Sequence, residues 1–326
     1  MKRSATLFIL LNALMAPEAY CNSTQRTAVS ISAKEYIDAF KRGDDFVAPS
    51  KGVFVNGQPD GAALELLGKE LGVGSPGVRE NIVKLLVDMG RSTDPLTAKG
   101  ADALHNQHIL TLLSGPGLAR EDLGREAAME ALRKLATPRD LASFGEAFTN
   151  ALTKEPTEEA FLLVAKAKPA KAGDVVENLS KLPRWQHVRA ARIAHAAFGS
   201  TADEDSFLAA AAAATTGEAL AKALVPLGLL GTPRSLKVIA ELLRSPLTIE
   251  IPGHGPGKSV KSVRLNVLDA LRYNFPDQPV LYPNNINRDE DYRTAERFCT
   301  TTFGVTYKDP PPPYLKYGNA PPEPHP

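Results

Sequence analysis

Cysteine is nearly missing from this chain. Two occur in 326 residues, Cys21 and Cys299, too few for a disulfide framework or a cysteine-built metal centre. Aromatic residues make up 6%, with a single tryptophan. Rings are scarce and alanine is plentiful, a mixture that suits close helix-on-helix packing better than a sheet core. An excess of charge is missing too. Lys plus Arg is 38 and Asp plus Glu is 37, for a formal balance of +1, without the basic surplus that marks a nucleic-acid binder. Strand-like alternation is almost absent, with "LTIEI" (247–251) as the best candidate. Beyond the amino-terminal residues no run is long and apolar enough for an integral membrane span. Neither a G-x-S-x-G nucleophile motif nor a His-Glu metal-ligand motif occurs.

The amino-terminal 1–23 reads as a signal peptide. Lys2 and Arg3 give the positive start, and "ATLFILLNALMA" (5–16) is apolar but too short to cross a bilayer. Cleavage after Cys21, with Ala19 three positions before the cut, fits the small-residue rule. Tyr20 is too large to precede a lipidated Cys21. The expected protein is exported, to the periplasm or outside the cell, with Cys299 as its remaining thiol.

Apolar residues make up 43% and charged residues 23%, as in a folded soluble protein. Helix-period spacing runs from 31 to 303. It predicts an amino-terminal helix and loop (24–58), with a short extended piece within 43–58. Six helix pairs follow: 60–72 with 76–90, 99–114 with 121–136, 138–152 with 156–167, 171–181 with 185–198, 204–215 with 217–230, and 233–244 with 260–274. A last helix covers about 288–302. Thr-Pro-Arg recurs at 137–139 and 232–234. Each threonine can cap a helix start, and each proline fits the first helical position. The tail (304–326) is proline-rich, which excludes helix and predicts extended backbone. Its "PPPY" (311–314) reads as part of a solvated tail. "FLAAAAAATT" (207–216) is expected as a helix buried between neighbours.

Four segments align on an arginine: "GVRENIVKLLVDMG" (77–90), "LGREAAMEALRKLA" (123–136), "HVRAARIAHAAFG" (187–199) and "SVRLNVLDALRYNF" (262–275). The Val-Arg pairs Val78–Arg79, Val188–Arg189 and Val263–Arg264, with Gly124–Arg125 as a weaker copy, resemble those of the HEAT-repeat family, in its PBS-lyase-like form. The run "LGLLGTPRSLKVIAELLRSP" (227–246) is also similar to such a unit. The resemblance covers roughly 60–275 of the chain. It implies an all-α fold, a right-handed α-solenoid of about six antiparallel helix pairs over 59–303, whose second helices line a concave face. One feature departs from the family pattern. The acid expected six residues before each arginine is replaced by Val73, Ala119, Pro183 and Lys258. Apolar stacking is therefore expected to carry more of the contact between units.

"IPGHGPGKSVKSVR" (251–264) contains the Gly-Lys-Ser of a phosphate-binding loop. The motif also needs a glycine where Pro252 stands. Pro252 and Pro256 lack the amide hydrogens that would cradle phosphate. The segment is expected to be an enlarged turn within the sixth pair. As a long loop on a rigid scaffold, 246–260 is a candidate contact element, offering His254, Lys258 and Lys261.

His105 and His108 share a helix face, as do His187 and His195 with Arg189 and Arg192; both sets read as structural. Asn178 matches a glycosylation acceptor but falls within a predicted helix. The function expected is a non-catalytic scaffold without cofactor or metal, binding another protein and not nucleic acid. Its contact residues would be Lys84, Arg133, Arg192, His254, Lys258, Asp269, Arg272 and Tyr273, with Arg272 and Tyr273 first as typical interface anchors. The alternatives are a HEAT-like enzyme or accessory protein, lyase-like or acting on DNA bases, and an envelope immunity or assembly factor.

Overall fold

The computed structural model describes residues 31–44, 49, 51–91, 103–251, 259–282, 289–308 and 318–319. These are mostly helical. The chain opens with α1 (Ala33–Arg42), a small hairpin of β1 (Phe54–Val55) and β2 (Gln58–Pro59), then α2 (Gly61–Val73) and α3 (Pro76–Arg91). The middle holds α4 (Gln107–Ser114), α5 (Leu123–Leu135), α6 (Pro138–Leu141), α7 (Gly145–Lys154), α8 (Glu158–Ala167), α9 (Ala172–Ser180) and α10 (Arg189–Ala197). After these come α11 (Thr201–Ala212), α12 (Gly217–Leu230), α13 (Pro233–Glu241), β3 (Thr248–Ile251), β4 (Ser259–Ser262), α14 (Arg264–Arg272), α15 (Asp289–Phe303) and β5 (Gly318–Asn319).

Local chemistry fixes many helix starts. Ser32 and Glu35 form a capping box on α1, as do Thr137 with Asp140 on α6 and Thr232 with Ser235 on α13. Pro138 and Pro233 take the first turn, as their spacing predicts. The helix expected over 138–152 is split into α6, one 3-10 turn and α7, and it restarts at Gly145, a poor helix former.

The helices pack in series. α3, α5, α8, α10, α12 and α14 form an inner row in which each contacts the next. α2, α4, α7, α9, α11 and α13 each pack against the inner helix that follows them. Buried apolar side chains form one continuous cluster from Ala33 to Val305. α1 closes one end with Tyr36 and Phe40. At the other, α15 packs on α13 and joins Phe275, Phe298 and Phe303 edge to face, with centroids 5.6 to 6.0 Å apart.

Three expectations need correction. α11 is an outer helix: Phe207 and Ala211 are buried, but Ala209, Ala210, Ala212 and Ala213 are exposed. Alanine's helix propensity forms the helix without requiring burial. The start of the expected helix 260–274 is instead strand β4, which pairs antiparallel with β3 from Thr248↔Ser262 to Ile251↔Ser259. Cross-strand backbone bonding, extended by Val263 N donating to Leu247 O at 3.0 Å, outcompetes a helical first turn. β5 adds to β4 at Ser259 and Val260, so the tail is extended where it is described. The hairpin lies against the start of α12. A Cβ at Gly217 would stand 2.0 Å from Thr248 O, so only glycine fits there.

The third correction concerns the arginines. Arg79 is fully buried and pairs with Asp122 of the next unit, Nε to Oδ2 2.7 Å. It also donates to Leu71 O, Pro116 O and Gly117 O. Arg125 pairs with Glu155 at 2.5 Å, again one unit on. Arg189 donates to Lys222 O at 2.9 Å, and Arg264 lies 3.5 Å from the Tyr292 ring centroid. Charged and polar contacts therefore link the units, with the acids at other positions than the family pattern places them. Gly124 breaks the Val-Arg pattern for a steric reason: a Cβ there would come within 2.6 Å of Arg79 Cβ.

Candidate functional site

Six of the eight predicted contact residues are described, and they do not form one surface. Lys84 is exposed on α3 and pairs with Glu80 at 2.6 Å. Arg192 is half-buried on α10, with Nε 2.6 Å from Asp203 Oδ1 and its guanidinium 5.2 Å from the Phe207 ring. Asp269 and Arg272 pair with each other at 2.6 Å. Arg272 also donates to Leu281 O and covers the Tyr282 ring. His254 and Lys258 lie outside the described residues. Of the Gly-Lys-Ser motif, Gly257 and Lys258 also lie outside the described residues, and Ser259 opens strand β4; the sheets among the described residues are antiparallel.

Arg133 and Tyr273 come together, but inward. α8 is buried at every position from Ala160 to Ala167, because α5, α7, α10 and α12 surround it. Its lysine is included: Lys166 is 3% exposed. The Lys166 amine donates to the carbonyl of Arg133 at 2.5 Å. That carbonyl belongs to the last turn of α5, where no helical amide is left to claim it. Lys166 also stands 4.3 Å from the centre of the Tyr273 ring. Arg133 pairs with Glu159 at 2.8 Å, and its charge neighbours the Tyr273 phenol. Burial, then the neighbouring Arg133 charge, hold the Lys166 amine well below the ordinary lysine range; Asp140 pulls weakly the other way. Burial also raises the Tyr273 phenol. Sequence reasoning found two members of this cluster and missed Lys166 and Glu159. The available signal was "EEAFLLVAKA", apolar on nearly every face, as in a helix covered all round.

Two surface depressions complete the picture. An open groove of about 870 Å³ lies between the end of α1 and the turn joining α2 to α3. Phe40, Val73 and Val78 give it apolar walls, and Lys41, Arg42 and Lys84 stand at its rim. Val73 is 69% exposed, an unusual setting for a valine beside a groove. A second cleft of about 490 Å³, between the 115–121 turn and α7, holds Glu121, Arg125 and Glu155. Contact with Glu155 raises the Glu121 carboxyl, and the same contact lowers that of Glu155, beside Arg125.

Two of the four described histidines have carboxylate partners: His105 Nδ1 lies 3.0 Å from Asp140, and His195 Nδ1 2.9 Å from Asp203. Among the described residues no three His, Cys, Asp or Glu side chains are grouped to hold a metal ion, and no helix is long and apolar enough to cross a membrane. No family model matches the chain, and no curated protein or solved structure matches it either.

Proposed function

We propose that this chain is a non-catalytic, exported scaffold of the HEAT-repeat type that binds a partner protein. The observation that carries the reading is the inner row, in which the arginine of one unit reaches into the next at Arg79–Asp122 and Arg125–Glu155. Units linked this way hold side chains on rigid helices at fixed spacing, as extended binding surfaces require. The surface we favour is the groove between α1 and α3. It contains Lys84 from the predicted set and pairs an exposed apolar wall, Val73, with a charged rim. This replaces the concave-face reading, since Arg133 and Tyr273 face α8. The 246–260 loop stays in the proposal on the sequence argument alone.

The test is affinity capture from an envelope extract with the mature chain, followed by mass spectrometry. Val73→Glu in the groove is compared with Val225→Glu, which alters an exposed valine of α12 away from it. A partner lost with the first variant and kept with the second supports the proposal. Capture unchanged by Val73→Glu overturns the groove, and tight duplex DNA binding at low salt overturns the protein-binding reading itself.

A further inference from the structure

The four aligned arginines do not share one setting. Arg79, Arg125 and Arg264 are buried, whereas Arg189, at the start of α10, is exposed. Arg79 and Arg125 each meet an acid of the next unit. Arg189 meets a backbone oxygen there, Lys222 O of α12, and among the described residues no carboxylate pairs with it. Partial burial lowers its guanidinium below the ordinary arginine range, and no acid acts the other way. Arg184, in the turn just before α10, is also exposed and also lacks an acid; its guanidinium lies 4.9 Å from the centre of the Trp185 ring. By contrast Arg42, Arg192, Arg234, Arg244 and Arg272 each have a carboxylate within 2.9 Å.

The turn that carries Arg184 is compact. Trp185 N and Gln186 N donate to Leu182 O at 2.8 and 3.0 Å, and Val188 N donates to Trp185 O at 2.9 Å. Trp185 is 7% exposed and packs on Phe161 of α8, with centroids 5.1 Å apart, so Arg184 lies against an anchored ring. The bond from Arg189 to Lys222 O brings α12 alongside. Lys222 is exposed and forms no hydrogen bond or ion pair among the described residues. Val225, one helical turn on, and Leu182 are among the most exposed apolar side chains of the fold. The acids of the same elements are placed otherwise. Glu177 pairs with Lys181 at 2.7 Å, Glu218 accepts from Glu250 N at 3.1 Å, and Asp174 stands in the first turn of α9. On a chain of formal charge +1 this is a local excess of positive charge.

We propose that the turn from Leu182 to Arg189, with Lys222 and Val225 of α12, docks an acidic segment of a partner protein. Charge complementarity selects the occupant. A guanidinium offers a planar fork of donors that a carboxylate fills with two hydrogen bonds, and one already ordered against a ring loses less freedom on pairing. Leu182 and Val225 add apolar contact beside the charges. A lipid surface suits the turn less, because interfacial binding buries aromatic side chains in the bilayer and Trp185 is already packed on Phe161. This surface lies on other helices than the groove between α1 and α3, and neither depends on the other.

The test is fluorescence anisotropy of the full chain with a labelled synthetic peptide of repeated Glu-Glu-Leu, against a control of repeated Gln-Gln-Leu. Saturable binding of the first and none of the second is expected at about 20 mM salt, weakening at least about fivefold at about 150 mM. Unlabelled peptide is expected to shift the emission of Trp185, the single tryptophan of the chain. Arg184→Gln with Arg189→Gln is expected to weaken binding at least about tenfold, and Lys222→Gln alone, which breaks no contact of the fold, at least about twofold. Lys34→Gln on α1 with Arg297→Gln on α15 removes the same charge at the two ends of the row and is expected to change binding by less than about twofold. Equal losses in the two double variants, or peptide binding that leaves Trp185 emission unchanged, overturn the site. Absence of saturable binding at about 20 mM salt overturns the acidic occupant. Tighter association with phosphatidylglycerol vesicles or duplex DNA than with the peptide overturns a protein segment as that occupant.

Discussion

Arg79 of α3 and Asp122 at the start of α5 form an ion pair of 2.7 Å with side-chain exposures of 0% and 7%. Asp122 also caps α5 by accepting from Arg125 N, so one carboxylate serves its own helix and the preceding unit. Removing one partner of a buried pair strands the other charge, at a cost of about 3–5 kcal/mol. Arg79→Met is expected to lose that much. Lys181→Ala, which breaks the exposed Lys181–Glu177 pair, is expected to lose less than about 1 kcal/mol. Urea unfolding midpoints with unchanged slopes are the measure.

Glycine-to-alanine changes in two helices are expected to have opposite signs. At Gly72 of α2 a methyl group meets open space, and helix propensity alone predicts a gain of up to about 1 kcal/mol. At Gly124 of α5 the same methyl group meets Arg79 Cβ at 2.6 Å, and overpacking of roughly 1–3 kcal/mol outweighs the propensity. Thermal melts of the two variants distinguish them by direction.

Asp203 gives an acid-range prediction. Burial pushes its carboxyl up, but hydrogen bonds and charge from Arg192 and His195 outweigh it, and the group is held below the ordinary aspartate range. A depressed carboxyl contributes stability above the unfolded value, about pH 3.9, and loses it as pH falls through the folded value. Asp203→Asn is expected to cost about 1–2 kcal/mol near neutrality. The unfolding midpoints of variant and parent should converge at the acid end of the titration.

Cys299 is fully buried, and burial pushes its thiol up to about 11. An unperturbed thiol, near 8.5, is partly ionised at pH 8, whereas this one is not. Alkylation of the native protein at that pH is expected to be at least about 100-fold slower than after unfolding. Equal rates would place the thiol at the surface.

The helix pairs were legible because periodic apolar stripes and threonine caps are local signals. "GVRENIVKLLVDMG" and "LGREAAMEALRKLA" carry their buried faces in the spacing alone. What escaped depends on distance in space. The family pattern places the acids of the arginine ladder at a fixed offset within each unit, but Asp122 and Glu155 reach back from the next one. Tyr273 and Arg133 looked like outward anchors, since helix spacing says nothing of a row that folds back over its own middle. Lys166 carries no sequence mark of its burial for the same reason. The alanines of α11 failed differently. They are compatible with burial and with exposure alike, and α10 and α12 cover only part of that helix. The hairpin β3–β4 was half visible in "TIEI", whose partner "SVKS" has no apolar alternation to mark it.

Because the Tyr273 ring sits over the Lys166 amine, the stretch of chain from α8 to α14 is a fixed dimension. Open arrays grow and shrink by duplication and loss, since each unit touches its neighbours alone. Here one extra pair between α10 and α12 would carry the tyrosine past its seat. The sequence is free to vary its exposed faces and loops, but the number of units between those two residues is locked.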